Sequence, residues 1–413
     1  MSSGALEPLK SSNFRLLAAG RTVSMAGNAI ANIALGFAVL DLTGSLKSLS
    51  IVVASRSTAN LLFAIIGGTA ADRYDKKQVL LAACLGSATS QTALATVMIS
   101  RIDNLLVLSA LAGLSGLTAA FAFPASGALL PNTVEPEVLT QANAFVRIAT
   151  NSTGLVATAA GGALVAILGP PACLYVDAAS FVLAAACFGA IRLSRIDLAD
   201  VEVQGTSYLQ DLAQGWHYLR TSSWVWSIVV AAMVVNACSI ASIAVIGPAI
   251  ADAEFGRKAW GVILAMDALG LVIGGLVAIR IRNHLSLKLG TFCLVGEALL
   301  PFGLALNPTV WFLIVITLVG GVALEQMAVS WESSLQRYVP EKMLARIYAY
   351  DMFGSLMAVP IAQLIIGPMA ESIGQERTLL LAGITICVSG LAPLTSRSLR
   401  DLPRLGAPFP QPS

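Results

Sequence analysis

The sequence predicts an all-α integral membrane protein: twelve transmembrane helices arranged as two six-helix pseudo-repeats. Three observations carry that reading. Of the 413 residues, 56% are hydrophobic and only 12% are charged, with a mean hydropathy of +0.79. That is about half the charge of a soluble domain, and water would not tolerate the surplus apolar surface. The apolar residues fall in long runs rich in Ala, Leu, Val and Gly, each near the roughly 20 residues that a helix needs to cross a bilayer. Backbone facing lipid must satisfy its own hydrogen bonds, so runs of this length mean helices. Finally, the two halves of the chain echo one another.

Polar breaks divide the chain into segments at about 14–41, 46–71, 77–100, 104–130, 140–168 and 171–193, then 223–251, 258–282, 284–306, 309–335, 343–369 and 376–396. The first begins after a short polar tail; its apolar run exceeds a signal-peptide core and has no clear cleavage site, so it reads as a retained helix. The expected domains are therefore residues 1–193, a linker at 194–222, and residues 223–413 with a short tail. The linker contains the amphipathic piece Leu209 to Leu219, which reads as a helix on the cytoplasmic membrane surface.

Orientation follows from Lys and Arg. Of the 25, Lys47, Arg101, Arg257, Lys258 and Arg377 fall in loops on one side, and Arg21, Arg56 and Arg147 fall within spans. The remainder lie on the other side, with the two tails and the linker. Both termini are thus expected in the cytoplasm, in the plasma membrane of a prokaryote.

The repeat is visible at an offset of 207. Gly67-Gly68-Thr-Ala-Ala-Asp72-Arg73 aligns with Gly274-Gly275-Leu-Val-Ala-Ile-Arg280, each at the cytoplasmic end of the second helix of its half. Pro136-Glu137 and Pro340-Glu341 likewise precede the two fifth helices. Parallel repeats of this kind place a binding site near the membrane midplane.

The densest motif is Gly68-Thr-Ala-Ala-Asp72-Arg73-Tyr-Asp75-Lys76-Lys77. Its glycine allows close helix packing, Asp72 suits a neighbouring helix N-terminus, and Arg73, Lys76 and Lys77 suit an anionic cytoplasmic surface. It resembles the loop signature of the major facilitator superfamily, Gly-x-x-x-Asp-Arg/Lys-x-Gly-Arg/Lys-Arg/Lys, with Asp75 in place of the second glycine. Phe123-Pro124-Ala125, Leu130-Pro131, Ala142-Asn143-Ala144, Asp177-Ala-Ala-Ser-Phe181 and Gln336 with Pro340 and Arg346 extend the resemblance to the drug/proton antiporter branch, near the macrolide and enterobactin exporters. The resemblance covers nearly the whole chain. It implies the major facilitator fold, alternation between inward- and outward-open states, a proton gradient as driving force, a monomer, and Gly68, Asp72, Arg73, Lys76 and Lys77 as a conformational-switch loop. The chain departs from the branch in its fifth helix, where Ala157-Thr158-Ala-Ala-Gly161-Gly162 lacks the proline of Gly-Pro-x-x-Gly-Gly. It also lacks the basic residue often found in the fourth helix.

Ionisable residues inside a bilayer are costly, and they usually face a cavity or a partner. In a low-dielectric cavity, desolvation disfavours an ionised carboxylate, so such a group can exchange a proton against a cationic substrate. Glu325 and Asp267 are the first candidates for proton coupling and Asp351 the third. Glu297 and Asp177, on helices that are usually peripheral, read as structural hydrogen-bonding groups. Arg147 and Asp351 occupy equivalent repeat positions and are expected to form a gating pair. Arg21, Asn28, Asn32, Arg56, Asn60, Phe121, Phe123 and Trp331 are the candidates for the substrate cavity; Trp224, Trp226 and Trp311 read as interface anchors. For each of these residues, ordinary packing or a permanent structural bond is the alternative.

The expected function is secondary active transport, by proton-coupled efflux of amphipathic drugs, antibiotics or a siderophore. A metabolite importer or uniporter of the same fold is the alternative, and a non-transporting membrane sensor or assembly partner is the alternative of another class. No nucleophile–base pair, clustered metal ligands or nucleotide loop points to an enzyme, a metal or a cofactor. The net charge of +2 favours no nucleic acid, leaving the bilayer, a small substrate and protons as partners.

Overall fold

A computed structural model of the chain describes residues 7–192, 208–281, 286–306 and 308–400. The described part is helical throughout, and eleven of its helices are long and apolar enough to cross a membrane. In chain order the first six long helices are α1 (Ser12–Thr43), α2 (Leu46–Arg73), α3 (Lys76–Ile99), α4 (Leu105–Leu129), α5 (Leu139–Leu168) and α6 (Pro170–Ala190). After the short α7 (Tyr208–Thr221) come α8 (Ser223–Phe255), α9 (Arg257–Arg280), α10 (Leu287–Leu306) and α11 (Val310–Tyr338). The eleventh predicted segment is a broken helix, α12 (Glu341–Leu356) and α13 (Val359–Ile373), and α14 (Gln375–Leu391) follows. Every predicted segment has its helix, and α2 supplies the second.

Local chemistry sets the ends. Ser11 Oγ accepts from the Phe14 N–H at 3.3 Å, Asn104 Oδ1 from Leu106 and Val107, and Ser286 Oγ from Leu289, each satisfying first-turn donors. Gly169 at φ +82° and Gly374 at φ +95° join the fifth and sixth helices of the two halves, a conformation other residues rarely take. The break between α12 and α13 precedes Pro360, whose ring disfavours a continuous helix through the preceding turn. In α8, π-helical turns at Ser242–Ile246 and Ala251–Phe255 flank Pro248.

The chain forms two compact units: Met1–Glu202 with Ala251–Ala265, and Val203–Ile250 with Met266–Ser413. In the first, α2 lies along α4, α1 along α5 and α6, and α3 against α4 and α6. Phe14, Leu17, Leu80, Leu129, Val146 and Phe188 fill its core. Its α5 meets the start of α9 backbone to backbone, because Gly162 and Gly261 face each other with no side chain between them. In the second unit, α8 packs on α12, α13 and α14, and α10 on α11 and α14. Its α7 docks on α12, with Gly215 against Tyr350 and Arg346, and Trp216 tilted on Tyr350 at 5.9 Å.

The repeat extends to the packing. Gly116 of α4 sits on the Arg56 carbonyl of α2, and Gly67 on the Ala120 carbonyl. In the other unit Gly321 of α11 sits on the Asp267 carbonyl of α9, and Gly274 on the Val322 carbonyl. Outward positions such as Leu106, Ile167 and Trp311 are more than three-quarters exposed, the surface a bilayer accepts.

Candidate transport site

In the first unit, three of the expected cavity residues come together. Arg56 donates from Nη1 to Asn32 Oδ1 at 2.7 Å and from Nη2 to Asn28 Oδ1 at 2.8 Å. Asn28 and Asn32 share one stripe of α1 because they are four residues apart. One turn along α2 from Arg56, Asn60 donates to the Gly116 carbonyl at 3.3 Å. Arg21 is half-buried on α1 and Phe121 half-buried on α4. The side chains of Phe123, and of Gly68, Asp72 and Arg73 in the loop motif, lie outside the described ones.

Behind this face, Asp177 of α6 is fully buried. Gln91 Nε2 donates to its Oδ2 at 2.8 Å, and Ser180 Oγ donates to its Oδ1 at 3.4 Å. The backbone of α1 approaches this pair at Gly27, where a methyl group would strike Ser180 and Asp177.

The loop motif has two further parts in view. Asp75, which stands where the resembling family has glycine, caps α3: its Oδ1 accepts from the N–H groups of Lys77 at 2.8 Å and Gln78 at 3.1 Å. Lys77 Nζ donates to the Gly189 carbonyl at 2.7 Å and the Ile191 carbonyl at 2.6 Å. It therefore caps the C-terminus of α6, where the helix dipole favours a cation, in place of the headgroup contact expected for it. Lys76 opens α3 and is half-buried.

In the second unit, the carboxyl groups sit on helices that approach closely. Glu325 of α11 lies against Gly274 and Gly275 of α9. Asp267 of α9 and Glu297 of α10 are half-buried. Ser239 Oγ of α8 donates to Glu297 Oε2 at 2.6 Å. Asp351 of α12 accepts from Trp331 Nε1 at 2.8 Å and Ser355 Oγ at 3.2 Å. Arg147, expected to pair with Asp351, is exposed on α5 of the first unit.

Two of the tryptophans pack against each other. Trp331, expected in a cavity wall, is buried in the apolar core of its unit and turns only its indole N–H to a carboxylate. Trp224, read as an interface anchor, packs edge-to-face on Trp331 at 5.9 Å and on Tyr338 at 6.3 Å. A large ring with one polar atom gains most where both needs are met. Trp226 and Trp311 are exposed.

The sequence reading missed one charged cluster. Arg257 donates to both carboxylate oxygens of Asp41, at 2.8 and 2.5 Å, and to both of Asp252, at 2.7 and 2.9 Å. Its guanidinium also lies 4.8 Å from the centre of the Phe37 ring. All four residues belong to the first unit, at the end of α1 and the junction of α8 with α9.

The chain matches the family described as "Transmembrane secretion effector" over residues 3–404. It is 24% identical over 392 residues to "Multidrug efflux pump Tap" of Mycolicibacterium fortuitum, covering 91% of this chain and 94% of that one. It is 22% identical over 397 residues to "Macrolide efflux protein A" of Streptococcus pyogenes, covering 92% and 95%. Among solved structures, the nucleoside transporter NupG, as its D323A mutant, superposes with a TM-score of 0.77 at 13% identity, covering 93% of this chain and 99% of that one. A bacterial homologue of the iron transporter ferroportin, in its inward-facing state, superposes at 0.64 with 17% identity, covering 92% and 98%.

Proposed function

Because the chain belongs to the transmembrane secretion effector family of the major facilitator superfamily, we propose that it exports amphipathic small molecules in exchange for protons, by alternating access. The relatives named as multidrug and macrolide efflux pumps support the direction and the substrate class. The observation that carries the proton half lies in the second unit. Asp351 accepts hydrogen bonds from an indole N–H and from a hydroxyl. A carboxyl group held by neutral donors can take up or release a proton without first breaking an ion pair. Asp267 is half-buried on α9, and Glu325 lies across the α9–α11 contact.

Glu325, Asp267 and Asp351 are the proposed carriers, and the proton and a cationic or polar substrate compete for them. The uneven distribution of Lys and Arg between loops supports a plasma-membrane protein with both ends in the cytoplasm. Neither covalent chemistry nor a cofactor enters this cycle.

The test is proton release from acid-loaded proteoliposomes as lipophilic cations, macrolides and siderophores are added, with Glu325→Gln, Asp267→Asn and Asp351→Asn alongside. Substrate-dependent proton movement that at least one neutral variant abolishes is the expected result. Substrate movement with no proton movement removes antiport. Proton movement unchanged in all three variants removes these carboxyl groups from the mechanism.

A further inference from the structure

We propose that Arg56, with Asn28 and Asn32, is a subsite for an anionic group, a carboxylate, on the transported molecule. The inference rests on the transporter reading above and narrows its substrate class.

The first ground is the direction of the hydrogen bonds. Asn28 and Asn32 both turn their carbonyl oxygens to the Arg56 guanidinium. Their acceptors are thereby used, and each amide keeps its NH2 group. A guanidinium has five N–H donors and no acceptor. After the two bonds to asparagine, what remains at this point of the unit is a set of donors: the other guanidinium N–H groups and the two amide NH2 groups. A group with several lone pairs and a negative charge matches that set, and the planar fork of arginine matches a carboxylate two atoms at a time.

The second ground is charge. An arginine at membrane depth needs compensation. Within the first unit, among the described residues, no carboxylate pairs directly with Arg56. The field of Asp177 reaches it, but the Asp177 oxygens are taken by Gln91 and Ser180. The asparagine oxygens supply dipoles only. A bound carboxylate would complete the site.

The third ground is access. Asn32 and Asn60 are exposed, and Asn28 and Arg56 half-buried, near the middle of α1 and α2. Their neighbours Ala31, Ile33, Ala34, Val52 and Ala54 are buried. Amides and a guanidinium at the middle of a spanning helix are too costly to face hydrocarbon, so this face calls for water or a polar ligand against it.

The experiment uses the full-length detergent-purified protein and matched pairs of an acid and its methyl ester, led by tetramethylrhodamine and its methyl ester. Binding is read by fluorescence anisotropy, or by thermal shift for non-fluorescent pairs. The wild-type protein should bind the acid at least about 10-fold more tightly than the ester, the scale of one charge-assisted bond. Arg56→Gln should weaken acid binding by about 10- to 100-fold and leave the ester unchanged.

Asn28→Asp is the second variant. It is isosteric and puts a carboxylate where the guanidinium already points, so it should abolish the acid preference in folded protein. An ester that binds as well as the acid to the wild type overturns the proposal. So does an acid preference that survives both variants, or no binding of any acid at millimolar concentration. Proton-linked export of esters with no acid preference would remove this subsite and leave the proposed function standing. Acid binding without any proton-linked transport would do the reverse.

Discussion

Two glycines of α4, three residues apart and both facing α2, should respond oppositely to the same methyl group. At Gly113 a Cβ would lie 3.7 Å from the Ser55 carbonyl oxygen, an ordinary contact. At Gly116 it would overlap the Arg56 carbonyl oxygen and lie 2.9 Å from the carbonyl carbon. Backbone atoms cannot rotate away, so α2 and α4 must separate along the whole crossing. Gly→Ala inside a helix gains about 1 kcal/mol in intrinsic preference, and that gain is common to both sites. Overpacking costs about 1–3 kcal/mol and falls on Gly116 alone. The stability difference between Gly113→Ala and Gly116→Ala is therefore about 1–3 kcal/mol, with Gly113→Ala at or above wild type. Unfolding in mixed detergent micelles, followed by tryptophan fluorescence, measures the difference directly. Because the displaced carbonyl belongs to Arg56, Gly116→Ala should also weaken carboxylate binding. Equal stability of the two variants would refute the close backbone crossing and, with it, the placement of Arg56.

The Arg257 cluster is partly exposed, with side-chain exposures of 21% for Arg257 and 42% for Asp41. A double-mutant cycle of Arg257→Gln with Asp41→Asn should give a coupling of about 1 kcal/mol that shrinks with added salt; zero coupling at low salt would mean the two do not interact in solution. Trp331→Phe keeps a ring in the core but removes the donor to Asp351. It should cost about 1–2 kcal/mol, more than Ser355→Ala with its longer bond, and the reverse ranking would place the main Asp351 contact elsewhere. Asp72→Ala should slow turnover more than it weakens substrate binding, read as transport rate against Kd; normal turnover would take Asp72 out of the conformational cycle.

Hydropathy is a property of each residue and its neighbours along the chain, which is why the twelve spanning segments were legible to within a few residues, while the break between α12 and α13 was not. The repeat was legible for the same reason, since Gly67 and Gly274 mark the same crossing in each unit. The grouping of Arg56 with Asn28 and Asn32 was half visible: helical spacing put the two asparagines on one stripe, and the arginine sat in the next helix. Other features were not visible. Asp41 and Arg257 are 216 positions apart, and no local pattern distinguishes them from ordinary loop charges. The bonds of Gln91 to Asp177 and of Lys77 to the α6 carbonyls join residues 86 and more apart. Asp75 stood out as a departure from a loop pattern, and only the start of α3 showed that its carboxylate is a cap.

Sequence by itself determined that this chain spans a membrane as two sets of six helices, because burial in lipid is set by long apolar runs that each segment carries alone. Tertiary structure decided which polar atoms inside those helices satisfy one another. A guanidinium, an amide or a carboxylate at membrane depth must find its partner on another helix, and packing through Gly27, Gly116, Gly162 and Gly274 determines which helix comes within reach.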